Sequence, residues 1–119
     1  MQRCPICGSR LEINKYSCGG CEVEYLGNFQ LPRLARLGAA HQLLAEKFLL
    51  TGGNLKELAQ LEGITYPTLR KQVDVMIEEL KALKQEDDRS ISDLLAQVER
   101  GDLPAEAAER LIKELNGDA

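Results

Sequence analysis

The sequence predicts a mainly α-helical chain headed by a small β-hairpin that cysteines hold together. Three observations lead there. All four cysteines fall between positions 4 and 21, leucines beyond position 30 recur at spacings of three and four, and glycine or proline punctuates those runs. Of 119 residues, 15 are Lys or Arg and 19 are Asp or Glu, for a formal net charge of −4. That charge is uneven: residues 1–38 carry +2, residues 39–83 carry −1 and residues 84–119 carry −5. The chain therefore divides into three consecutive modules, at residues 1–30, 31–83 and 84–119. Tryptophan is absent and aromatic residues are scarce, so leucine must fill the core.

The first module rests on Cys4-Pro5-Ile6-Cys7 and Cys18-Gly19-Gly20-Cys21, two CxxC pairs separated by ten residues. Each CxxC turn brings two sulfurs to one point, and two such turns supply the four thiolates of a tetrahedral Zn2+ site. Ten intervening residues suffice for one hairpin. Leu11 and Ile13 alternate with Glu12 and Asn14, and Val23 and Tyr25 with Glu22 and Glu24, the period of half-buried strands. The pattern is that of a zinc ribbon. A thioredoxin-type redox pair would need a βαβ pattern that is missing here, and disulfides are disfavoured in a reducing compartment. Four cysteine ligands close the coordination shell, so the predicted metal is structural. A domain below about 40 residues cannot bury a sufficient core, and metal binding and folding are therefore coupled.

After a turn at Gly27-Asn28, Leu31, Leu34 and Leu37 stand three apart in a short connector with arginines on its other side, suited to docking the ribbon on the helices beyond it. A first helix is predicted from about Ala39 to Leu50, ended by Gly52-Gly53. Asn54 caps a second through Leu55, Leu58, Ala59 and Leu61, and Gly63 breaks it. Thr65 caps a third whose first turn holds Pro67, where a missing backbone donor does no harm. Two helices joined by a tight glycine-containing turn describe a helix-turn-helix, whose second helix can enter the DNA major groove. Thr65, Tyr66, Thr68, Arg70, Lys71 and Gln72 are the candidate DNA-contacting residues. Asp74, Glu78 and Glu79 on or near the same helix weigh toward the alternative of a packing unit or protein-binding surface. Val73, Met76, Leu80 and Leu83 continue an apolar heptad stripe begun at Leu69; it covers the module core, and its far end can pair with a second subunit or receive the tail.

Lys84 to Ser90, KQEDDRS, has no apolar residue and reads as a charged hinge. Beyond it, Ile91, Leu94, Leu95 and Val98 mark one amphipathic helix stopped by Gly101, and Ala107, Ala108, Leu111, Ile112 and Leu115 another begun near Pro104. Two short helices cannot enclose their own apolar face, so this hairpin packs on the preceding module or binds a partner. Its −5 charge disfavours nucleic acid and suits autoinhibition, assembly or plain solubility.

The segments CPICG, CGGC, FQLPRLARL and GNLKELAQLEGITYPTLRKQVDVMIEEL resemble the prokaryotic family called domain of unknown function 2089, a zinc ribbon followed by a sigma-factor-like helix-turn-helix. The resemblance covers residues 4–83 and implies a transcriptional regulator. Glu22 departs from the glycine that many zinc knuckles place after the second cysteine. The tail is similar to short oligomerisation-type hairpins found appended to other bacterial proteins; a homodimer paired through the far end of the heptad stripe is one of the expected assemblies.

Two functions therefore compete: a DNA-binding regulator, and an interaction module that contacts RNA polymerase or a sigma factor without touching DNA. Catalysis has little support and no catalytic residue is assigned. His41 is the one histidine, Gly52-Gly53 lacks the Lys-Ser/Thr of a phosphate loop, and Asp87-Asp88 lies in the expected solvated hinge. The longest stretch without a charged side chain, Leu37 to Ala45, has nine residues against the roughly 20 of a membrane span. Arg3 and Cys4 stand where a secretory signal would need its apolar run, so the expected location is the cytoplasm.

Overall fold

The computed structural model describes residues 3–116. The architecture is mainly α, with a two-stranded antiparallel hairpin at its head. Leu37–Ser92 forms one compact unit, and the segments on either side of it are grouped in a second.

The hairpin pairs β1 (Ile13–Ser17) with β2 (Glu24–Phe29), with Lys15 opposite Leu26, Tyr16 opposite Tyr25 and Ser17 opposite Glu24. Ile13 pairs with Phe29, so Gly27 and Asn28 together face Asn14 alone. The pair read as a turn from sequence is thus a β-bulge inside β2: a Gly-Asn step leaves the ladder with one extra residue, and the strands continue beyond it. The rings of Tyr16 and Phe29 meet edge to face at 4.8 Å, and Lys15 bridges to Glu24 at 2.8 Å. No described residue before Arg36 is buried. This hairpin has almost no core of its own.

The connector keeps its turn but not its clean division of faces. Residues Arg33–Arg36 form a short 3-10 turn in which Leu34 is 55% exposed and Arg36 only 7%. Residues three apart eclipse only while the 3.0-residue turn lasts. It stops at Arg36, and only the next residue, Leu37, reaches the core.

In the helical unit, α1 (Ala39–Leu50), α2 (Leu55–Glu62) and the first part of α3 (Tyr66–Glu99) surround a cluster of Leu37, Leu58, Ala59, Leu69, Val73 and Met76. Leu44, Phe48, Ile64, Leu80 and Leu83 pack against it. Asn54 caps α2 by accepting the Lys56 and Glu57 amides, both at 3.1 Å. At the other end Gly63 takes the left-handed conformation at φ 67°, its amide bonds Gln60 O, and the Ile64 amide reaches back to Ala59 O. That is a Schellman stop, and it turns Ile64 inward as its apolar clasp. Lys47 ties α1 to Glu62 of α2 at 2.8 Å.

The expected hinge at Lys84 to Ser90 is absent. Helix α3 runs unbroken for 34 residues through KQEDDRS, and Asp87, expected in solvent, is 1% exposed. Lys, Gln, Glu and Arg are good helix formers, and without glycine or proline a lack of apolar residues does not end a helix. Beyond a stop at Gly101, with φ 78°, α4 (Ala105–Asn116) completes the hairpin. Leu95 and Val98 of α3 and Ala105, Ala108 and Ile112 of α4 line an open apolar groove. No helix among the described residues is long and apolar enough to cross a membrane.

Candidate functional site

The two CxxC turns fold alike. In residues 4–9 the Cys4 amide bonds Ser9 O at 2.8 Å and the Gly8 amide returns to Cys4 O at 2.8 Å. Fourteen residues later the Cys18 amide bonds Val23 O at 2.8 Å and the Glu22 amide returns to Cys18 O at 3.0 Å. Gly8 (φ 74°) and Glu22 (φ 63°) hold matching places, both left-handed. The departure noticed at Glu22 therefore leaves the knuckle intact and forces a non-glycine residue into a conformation that disfavours a side chain.

Each turn presents hydrogen-bonded sulfur. The Ile6 amide points at Cys4 Sγ at 3.4 Å. The Ser9 hydroxyl, then the Ser9 amide and the Cys4 thiol, hold Cys7 below the usual thiol pKa. The backbone amides of Cys21 and Gly20, then the Cys21 thiol, do the same for Cys18. Donors aimed at sulfur favour the thiolate, which is the form that binds metal. All four cysteines are free thiols, and the donor set fits zinc in kind: four soft ligands on two knuckles. The fit is by halves, since no group of three or more His, Cys, Asp or Glu side chains among the described residues is placed to hold one ion.

The second candidate surface is the start of α3. Thr65 Oγ1 accepts the Thr68 amide at 3.4 Å and shares a hydrogen bond with Thr68 Oγ1 at 2.9 Å, which makes Thr65 the cap its sequence position suggests. Thr65, Tyr66, Thr68, Arg70, Lys71 and Gln72 are all exposed. They differ in how they are engaged: Arg70 is tied to Asp74 at 3.2 Å, whereas the side chains of Lys71 and Gln72 make no hydrogen bond or ion pair among the described residues. Val73 and Met76 lie inside the core cluster, with Leu80 and Leu83 packed against it. Their stripe is spent on the helical unit itself.

One contact escaped sequence reasoning. The Glu79 carboxylate accepts the Gly38 amide at 2.6 Å through Oε1 and pairs with His41 Nδ1 through Oε2. It thus stands in for the missing side-chain cap of α1 and binds that helix to α3. Ser9 was missed too, though laying CPICGS over CGGCEV sets it opposite Val23 and Gly8 opposite Glu22.

Among family models, the one described as DUF2089 zinc ribbon matches residues 4–35, and the one described as domain of unknown function (DUF2089)-HTH matches residues 37–83. Neither the curated proteins nor the solved structures give a match. Knuckles, helix-turn-helix and the order of the two matched segments agree, and the chain belongs to the DUF2089 family.

Proposed function

We propose that this protein is a non-enzymatic, cytoplasmic DNA-binding regulator of transcription, with Cys4, Cys7, Cys18 and Cys21 holding a structural Zn2+ ion and the first turns of α3 reading the major groove. The observation that carries the reading is the exposed start of α3. It follows a tight Gly63 stop, is capped by Thr65, and leaves Lys71 and Gln72 without partners among the described residues. Such donors suit phosphate oxygens and base edges. A bound cation would join the two sulfur half-sites and order a hairpin that has almost no core.

The test is binding of the full chain, loaded with zinc, to DNA upstream of its own coding sequence and to scrambled DNA at low and near-physiological salt. Preferential binding is expected, with Lys71→Ala weakening it on both and lowering the salt slope by about 1. Arg70→Ala should do less, because its guanidinium is already committed to Asp74. Absence of binding would overturn the reading in favour of the second one, a module that contacts RNA polymerase or a sigma factor. That second reading draws on Leu43, Leu49, Leu50 and Leu61, large apolar side chains exposed on α1 and α2. A homodimer is compatible with either.

A further inference from the structure

Helix α3 carries two different exposed sides. One bears Arg70 and Asp74, locked together at 3.2 Å. Its carboxylate would face phosphates. The other bears Thr68, Lys71 and Val75, at the i, i+3, i+7 spacing that stacks residues on one face. The stripe holds no carboxylate from Thr68 to Val75; its next member is Glu78, which Lys81 contacts at 3.4 Å. Beside it, Glu79 already receives the Gly38 amide and His41.

Val75 is the odd member of this face. It is 58% exposed, outside the core stripe of Leu69, Val73, Met76 and Leu80. Nothing in packing requires it, and helix propensity argues against it, since a β-branched residue loses side-chain freedom in a helix. From Thr68 to Val75 the helix rises about 10.5 Å. That corresponds to roughly three base-pair steps of about 3.4 Å. With Lys71 between them at the surface, the stripe matches a run of neighbouring base pairs. The feature of a base edge that an apolar side chain recognises in the major groove is the thymine C5-methyl.

We propose that Val75 is a specificity-determining residue that packs against the C5-methyl of one thymine, so that the site includes an A·T pair at a fixed place. The proposal rests on the DNA-reading role of α3 given above, and the experiment separates the two.

The zinc-loaded full chain is used to select duplexes from a randomised pool, and each thymine of the selected duplex is replaced in turn by deoxyuridine, which removes only the methyl. The expected result is one position at which uracil weakens wild-type binding about fourfold, the loss of one buried methyl group. In Val75→Ala that penalty should vanish, while binding to the uracil duplex equals that of the wild type. Alanine is the better helix former, so the variant keeps α3. If uracil is tolerated at every position, or its penalty persists unchanged in Val75→Ala, Val75 reads no methyl although the protein binds DNA. Should the pool yield no enriched duplex, the DNA-reading role itself fails and Val75 belongs to a protein contact.

Discussion

Replacing Leu69 by alanine tests whether α3 is fixed by the small cluster on which it rests. Leu69 is 0% exposed and is surrounded by Leu37, Leu58, Ala59, Val73 and Met76. Leu→Ala at such positions costs about 2.7–5.0 kcal/mol, the range reflecting how far the cavity collapses. The unit that depends on it spans Leu37–Ser92. At roughly 0.05–0.15 kcal/mol per residue, such a unit has a total stability of only about 3–8 kcal/mol. Few alternative side chains are near enough to fill the hole, so Leu69→Ala should leave it barely folded at room temperature. Leu61→Ala is the matched control, the same chemistry on α2 at 70% exposure, and should shift stability by no more than about 0.5 kcal/mol. Urea titration followed by helical circular dichroism compares the two. A loss below about 1 kcal/mol in Leu69→Ala, or equal losses in both variants, would refute the assignment of this cluster as the core.

The remaining predictions concern backbone and sulfur. Gly63→Ala should destabilise the helical unit by about 1–2 kcal/mol through its left-handed φ alone, since no atom lies within 4 Å of the added Cβ. Glu22→Gly, the same physics with the sign reversed, should slow loss of metal from the second knuckle when a competing chelator is added. A strong chelator should dissolve the hairpin of residues 13–29 while leaving the helical dichroism signal nearly unchanged, because the core cluster lies wholly within Leu37–Met76. Ser9→Ala removes the first of the hydrogen bonds that lower Cys7, so its pKa rises and protons compete better for the thiolate. Zinc should then leave at a higher pH than in the wild type, as followed with a metal-sensitive dye.

What was legible in the sequence was written by residues with one dominant use. Asn54 caps, Gly63 stops, Thr65 restarts and Pro67 sits where a helix needs no donor, and the predicted and observed boundaries of the three helices agree through this region. The two CxxC turns were equally plain. Reading failed where absence was taken as a signal. KQEDDRS lacks apolar residues, yet a helix exposed on most sides needs few, and only a breaker would have ended α3. Gly27-Asn28 carries a turn composition, but whether a Gly-Asn pair closes a hairpin or bulges a strand depends on the partner strand, which local sequence does not contain. Glu79 was counted as a charge against DNA, because its partners Gly38 and His41 lie 41 and 38 residues away. That Arg70 is paired with Asp74 while the Lys71 side chain has no partner among the described residues is likewise a fact of the folded helix alone.

Helix continuity through Lys84 to Ser90 also bears on how the chain is degraded. A protease active site accepts an extended segment, and a charged hinge holding Lys84 and Arg89 would be an open invitation to trypsin. Held in α3, those two bonds can be cut only after the helix unwinds locally, so their cleavage rate reports an opening equilibrium and not mere accessibility. A fragment ending at Lys84 is therefore no natural product of gentle digestion: it is severed in mid-helix, with a new terminus whose last four carbonyls have lost their donors.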